Sequence, residues 1–254
     1  MKRFILMIFV LACMIPSVYA QDVNEVWMQA NTQYSNGDYN GAAAAYESIV
    51  EQGYISGRLF YNLGNAYFKS DRLGRAILNY NKALKLTPYD KDINYNLTVA
   101  NGYVQDKIDT VPEIFITRWM RAWHSSLGSN AWTWVSLGAL ALMLGGVLML
   151  MLSERRGWRK AGFFAGVVFL VMFVCSTAFA ALEKKDMVDA STGIVLVQAV
   201  SVKSSPDSAG NDLFILHEGT KVDVLSTYDG WMEIMIADGN KGWVSGDAIG
   251  LIKY

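Results

Sequence analysis

Histidine, cysteine and the acidic side chains would carry any nucleophilic, redox or metal chemistry, and their placement in this chain supports none of the three. His124 and His217 are the only histidines, and neither has, nearby in sequence, the activated Ser, Cys or Thr that nucleophilic catalysis requires. His217 reads as a surface residue at a strand end. Cys13 and Cys175 each sit in an apolar run, so no CxxC exists and no pair can staple a polar segment. Glycine-rich phosphate loops, HExxH and clustered metal ligands are missing from the sequence. Asp38, Asp71 and Asp90 fall between predicted helices, where a carboxylate ordinarily serves as a cap. The expectation is a protein that is not an enzyme, with no catalytic residue, cofactor or metal.

The elements that hold these residues are modular. A chain of 254 residues has room for two small folding units plus membrane segments, and not for a large enzyme core as well. Its net charge of -1 and 52% hydrophobic content argue against nucleic acid as a partner and direct attention to the membrane. Lys2 and Arg3, the apolar run Phe4 to Ile15, Pro16, and small residues up to Ala20 read as a secretory signal peptide over residues 1–20. Val10-Leu11-Ala12-Cys13 leaves a second reading open, a lipidated Cys13, and a retained N-terminal anchor is a third.

Residues 131–152 and 161–182 are uncharged and long enough to cross a bilayer. The loop 153–160 between them carries Arg155, Arg156, Arg159 and Lys160, which belongs on the cytoplasmic side. With the N-terminus exported, both soluble parts then face the same, outer compartment. Residues 112–128 mix Phe115, Trp119, Met120 and Trp123 with Arg118, Arg121 and His124, the pattern of an amphipathic helix lying on headgroups. Gly162 and Gly166 match GxxxG and mark either a helix-packing face or ordinary small residues in a lipid-facing helix.

Residues 24–57 and 58–91 form an internal repeat. In the second copy Phe60, Leu63, Gly64, Tyr67, Ala76, Tyr80, Ala83 and Pro88 fall at the W-x2-L-G-x2-Y, A-x3-F, P spacing and resemble the tetratricopeptide repeat. The first copy keeps Ala30, Tyr34, Gly37, Tyr39, Ala42 and Tyr46, and a helix from Asp92 caps the open end. The predicted unit is an all-α solenoid over 21–111, short of the three repeats such arrays usually need, so it leans on the membrane, another copy or a partner. The resemblance implies peptide or helix binding on the concave face. By helical phase that face offers Trp27, Asn31 and Tyr34 in the first repeat and Tyr61, Asn65 and Phe68 in the second. Asn31 and Asn65 are placed to hydrogen-bond a bound main chain or simply to pack the solenoid. No matching basic pair supports a carboxylate clamp.

From Gly193 onward short alternating runs are punctuated by Gly219, Gly230 and Asp238-Gly239. The order Val200 to Pro206, Leu216 to Val222, Asp229-Gly230-Trp231 and Gly242-Trp243-Val244 resembles bacterial SH3 domains, implying a small all-β barrel over 193–254. Trp231 and Trp243 are expected to fill its core or rim, or else to form its ligand surface.

Taken end to end, the chain reads as a multidomain membrane protein that resembles the BatE-type aerotolerance proteins of the Bacteroides aerotolerance operon. That resemblance implies an inner-membrane scaffold with both soluble domains periplasmic. It also implies partners bearing von Willebrand A domains beside a MoxR-type ATPase, in tolerance of oxygen or envelope stress. The alternative is a cell-wall sensor or anchor that binds peptidoglycan through the SH3-like domain.

Overall fold

The computed structural model describes residues 23–108, 115–124, 126–188 and 191–253. The expected signal peptide, and Cys13 within it, lie outside the described residues.

Five helices build the repeat array: α1 (Val23–Ser35), α2 (Tyr39–Glu51), α3 (Gly57–Lys69), α4 (Leu73–Leu86) and α5 (Lys91–Gly102). Three of their starts are fixed by side-chain caps. Asp38 accepts from Gly41 N (2.9 Å), Ser56 from Leu59 N (3.1 Å), and Asp90 from Asp92 N and Ile93 N (2.9 and 3.2 Å). Asp71, expected as a cap, instead turns the chain between α3 and α4 with φ +58°. Position N-cap of α4 falls to Arg72, whose side chain caps nothing. Antiparallel pairs α1/α2 and α3/α4 close on fully buried Ala30, Ala42, Ala66, Ala76 and Ala83, with Tyr46, Phe60, Tyr67 and Tyr80 filling the space that these small residues leave.

Beyond the array come α6 (Phe115–His124), α7 (Ser129–Leu152) and α8 (Arg156–Val188). Both α7 and α8 are long and apolar enough to cross a membrane. The chain leaves helix only over 153–155, so the basic residues from Arg156 onward begin α8 where a longer loop is expected; Arg and Lys are good helix formers and their stems reach outward from a helix end. Antiparallel packing of α7 on α8 is set by backbone approach. A Cβ on Gly146 would lie 2.9 Å from Gly162 O, and one on Gly162 would lie 2.7 Å from Gly146 O. The GxxxG segment therefore packs within the hairpin. Ser136 Oγ and Thr177 Oγ1 (2.8 Å) and Ser129 Oγ donating to Ala180 O (3.1 Å) add polar ties along the same seam.

The C-terminal part is one antiparallel sheet of β1 (Thr192–Val195), β2 (Ala199–Lys203), β3 (Asp212–His217), β4 (Lys221–Tyr228), β5 (Trp231–Met235), β6 (Lys241–Ser245) and β7 (Ile249–Leu251). Its order is β3-β2-β6-β5-β4-β1-β7. The expected barrel is not closed: among the described residues β3 and β7 are the sheet's edges. β2 meets β6 through a single pair, Lys203↔Trp243, next to a bulge at Val202/Lys203, so the sheet curls sharply around Val195, Val202, Leu216, Val222, Ile234 and Val244 without a last ladder. At the other edge the inward surface is shared with the repeat array. Ile194 and Ile252 belong to the array's own buried cluster, with Leu196 packed against it. Trp231 and Trp243 are outside the core; they share the outward face with Glu233, opposite buried Ile234 and Val244.

Candidate functional site

The concave face of the array is organised by one hydrogen bond repeated in both helix pairs. Tyr46 OH donates to Asn31 Oδ1 at 2.7 Å, and one repeat later Tyr80 OH donates to Asn65 Oδ1 at 2.7 Å. Each bond ties the first helix of a pair to the second. Burial raises both phenols above their ordinary pKa, so each stays a donor at neutral pH and the asparagine carbonyl stays occupied. What remains to each asparagine is its amide Nδ2, which has no partner among the described residues. The sequence leaves binding and packing open for Asn31 and Asn65; the carbonyl half packs and the amide half faces the groove.

Of the other predicted groove residues Tyr34 lines a cavity with Asn31 and Asn65, and each of the four has an aromatic neighbour. Trp27 stacks edge-on to Tyr46 with ring centroids 5.5 Å apart, and Arg58 lies over its face at 5.8 Å. Tyr34 meets Tyr39 at 5.2 Å, Tyr61 meets Tyr80 at 6.2 Å, and Phe68 meets Tyr103 at 5.7 Å. Between the two repeats lies a cavity of about 220 Å³ lined by Asn31, Tyr34, Ser35, Tyr46, Asn62 and Asn65. Its lining carries no charge.

Asn96 of α5 belongs to this surface and sequence reasoning missed it. Its Nδ2 donates to Asn65 Oδ1 (2.9 Å) and to Tyr61 OH (3.1 Å), tying the last helix into the groove. The signal was present: Tyr-Asn-Leu occurs at 61–63 and again one repeat later at 95–97, which marks Asn96 as the equivalent of Asn62.

Also missed is a polar junction between array and sheet. Asp106, just past α5, accepts at Oδ2 from His217 N (2.7 Å) and Thr220 Oγ1 (2.6 Å), and its Oδ1 lies 2.6 Å from His217 Nδ1. Burial pushes the Asp106 carboxyl up, but the bonds from Thr220 and His217 outweigh it and hold the group below the usual aspartate range. Glu218 reciprocates, its Oε1 accepting from Gly74 N (2.7 Å) at the uncapped start of α4. His217, read as a surface strand-end residue, is half-buried here. The trio is not a nucleophile relay: the Thr220 hydroxyl donates to the carboxylate and is buried, whereas a relay needs the hydroxyl on the imidazole.

The two repeats have a family counterpart. Residues 28–91 match the tetratricopeptide repeat family. The match covers α1 from its second turn through α4, the part of the chain that carries the Tyr–Asn bonds. No curated protein matches the chain. Tetratricopeptide repeats mediate protein–protein interaction, and the cavity between this pair is uncharged, aromatic and amide-rich.

Proposed function

We propose that this protein is a non-catalytic, membrane-anchored scaffold of the BatE type, in which the tetratricopeptide groove holds a segment of a partner protein at the bilayer surface. The observation that carries this reading is the groove itself: two asparagines one repeat apart line one cavity with Tyr34 and Tyr46, without a charged residue in the lining, and Trp27 stacks on Tyr46 beside it. Such a surface suits an extended or helical protein segment better than a phosphate or a carboxylate. Contact between array and sheet supports a common side for both soluble parts, since α7 and α8 return the chain to where it started. With the signal peptide and the basic hairpin turn, that side is read as the periplasm of an inner-membrane protein. The partners are then membrane proteins with von Willebrand A domains, and the sheet is an SH3-like module. The exposed Phe115, Ile116, Trp119, Met120 and Trp123 of α6 support an interfacial helix.

Purification of the tagged full-length protein in mild detergent, followed by mass spectrometry, tests this. Von Willebrand A-domain proteins should accompany the wild type and be lost on Ser35→Arg, which fills the cavity from an exposed position without removing a buried contact. Recovery of the protein alone, or equal recovery with Ser35→Arg, would sink the groove reading. A second reading, peptidoglycan binding through the sheet, is favoured by one observation: Trp231, Trp243 and exposed Tyr228 all lie outside the core. Pull-down on purified sacculi that is abolished by Trp231→Ala with Trp243→Ala would move the assignment there.

A further inference from the structure

The array stops at two helix pairs and a single helix, and α5 is weakly held for a terminal helix. Only Ile93 and Ala100 are buried along it. Its register against the groove depends on Asn96 at one point and on the residues just past its C-terminus. There Tyr103 stacks on Phe68, Val104 is buried, and Asp106 binds the β3–β4 turn. That turn, residues 217–220, is built to receive them. Gly219 has φ +88°, and a Cβ there would lie 2.9 Å from both Ile77 Cδ1 of α4 and Val104 Cγ2 of the tail, so only glycine allows the turn to seat this deeply. On either side Glu218 caps α4 and Thr220 with His217 holds Asp106. The turn therefore fastens the last two helices of the array at once.

We propose that the β module is the missing cap of the repeat array, and that its 217–220 turn, by holding Asp106, keeps α5 and hence the groove in the binding-competent position. Repeat arrays need a terminal unit that covers their open end; here that unit is a sheet encoded beyond the membrane hairpin. When the turn lets go, the 103–108 tail loses its anchor, α5 keeps only Asn96 and the apolar contacts of Ile93, Leu97 and Ala100, and a partner must order α5 as it binds. Its apparent affinity falls by the fraction of molecules still ordered. The consequence for binding rests on the groove reading above; the capping itself needs no partner.

Hydrogen exchange of the full-length protein in mild detergent separates the two. Asp106→Ala should speed exchange of the α5 amides, Lys91–Gly102, by about tenfold or more, the scale expected when buried donors lose a carboxylate, while α1 and α2 are unchanged. Thr220→Val, which removes one donor and disturbs packing least, should give a smaller rise at the same amides if Asp106→Ala does not accumulate. Faster exchange confined to 217–220 with α5 unmoved overturns the proposal, as does an equal rise in α1 and α2. A groove that captures no partner leaves the exchange result standing, whereas unmoved α5 amides with normal partner capture sink the capping alone.

Discussion

Removing either end of the Tyr80–Asn65 bond should cost unequal amounts, and the geometry fixes which costs more. Tyr80 is 1% exposed and its hydroxyl donates to Asn65 Oδ1 at 2.7 Å. Tyr80→Phe removes that donor, but Asn65 Oδ1 keeps a second one, Asn96 Nδ2 at 2.9 Å; the loss is one net hydrogen bond, about 0.5–1.5 kcal/mol. Asn65→Ala leaves the buried Tyr80 hydroxyl without an acceptor and also releases Asn96 onto Tyr61 alone, so the desolvation cost of about 1–3 kcal/mol applies. Combining the two changes removes both polar ends, and the double variant should cost less than the sum by about 1 kcal/mol. Protection of α4 amides against hydrogen exchange in the full chain reads these differences locally, with about 1.4 kcal/mol for each tenfold change. Equal effects of the two single variants, or strict additivity in the double, would show that water reaches Tyr80 OH and refute the reasoning.

The junction and the hairpin each give a further expected outcome. Because the folded Asp106 carboxyl lies below its ordinary range, its contribution to docking is fully present above the unfolded aspartate value and is lost as pH falls through the lowered one. Exchange at 217–220 should therefore stay flat down to about pH 4, the ordinary aspartate value, and rise progressively below it until the lowered value is passed, after correction for the intrinsic rate; a rise centred above the usual carboxylate range would contradict the assignment. In the hairpin, Ser136→Cys with Thr177→Cys should cross-link readily, since the native oxygens are 2.8 Å apart. Adding Gly146→Leu should remove most of that yield, because its Cβ would press on Gly162 O at 2.9 Å.

The array is the most readable part of the chain because its signals are local. Ala42 and Tyr46 recur one repeat later as Ala76 and Tyr80, with small Ala30 matched by Gly64, and Asp38 and Asp90 cap helices a few residues away. The hairpin is readable for the same reason, as two uncharged runs around a basic turn. The junction is not, because its bonds join residues more than a hundred positions apart: Asp106 to His217 spans 111 and Gly74 to Glu218 spans 144. One clue is nevertheless present. A helix that starts at Leu73 after Arg72, with no Ser, Thr or Asp at its N-cap, asks for an acceptor from elsewhere, and Glu218 supplies it. The tryptophans are ambiguous in sequence because bulk in a small sheet suits a core or a rim; alternation from buried Ile234 and Val244 puts Trp231 and Trp243, half-buried, on the other face. Helical phase brings Asn31, Tyr34 and Asn65 to one cavity, but phase alone does not reveal that tyrosines from the second helices occupy the asparagine carbonyls.

Ile194 and Ile252 complete a core whose other buried members are all translated before the hairpin. The repeats emerge first and must wait, with α4 uncapped, until the last strands are made. A chain cut short before β1 lacks those isoleucines and leaves the face of α4 that they cover exposed. The array's core is therefore finished last, by residues that follow both long helices in the chain.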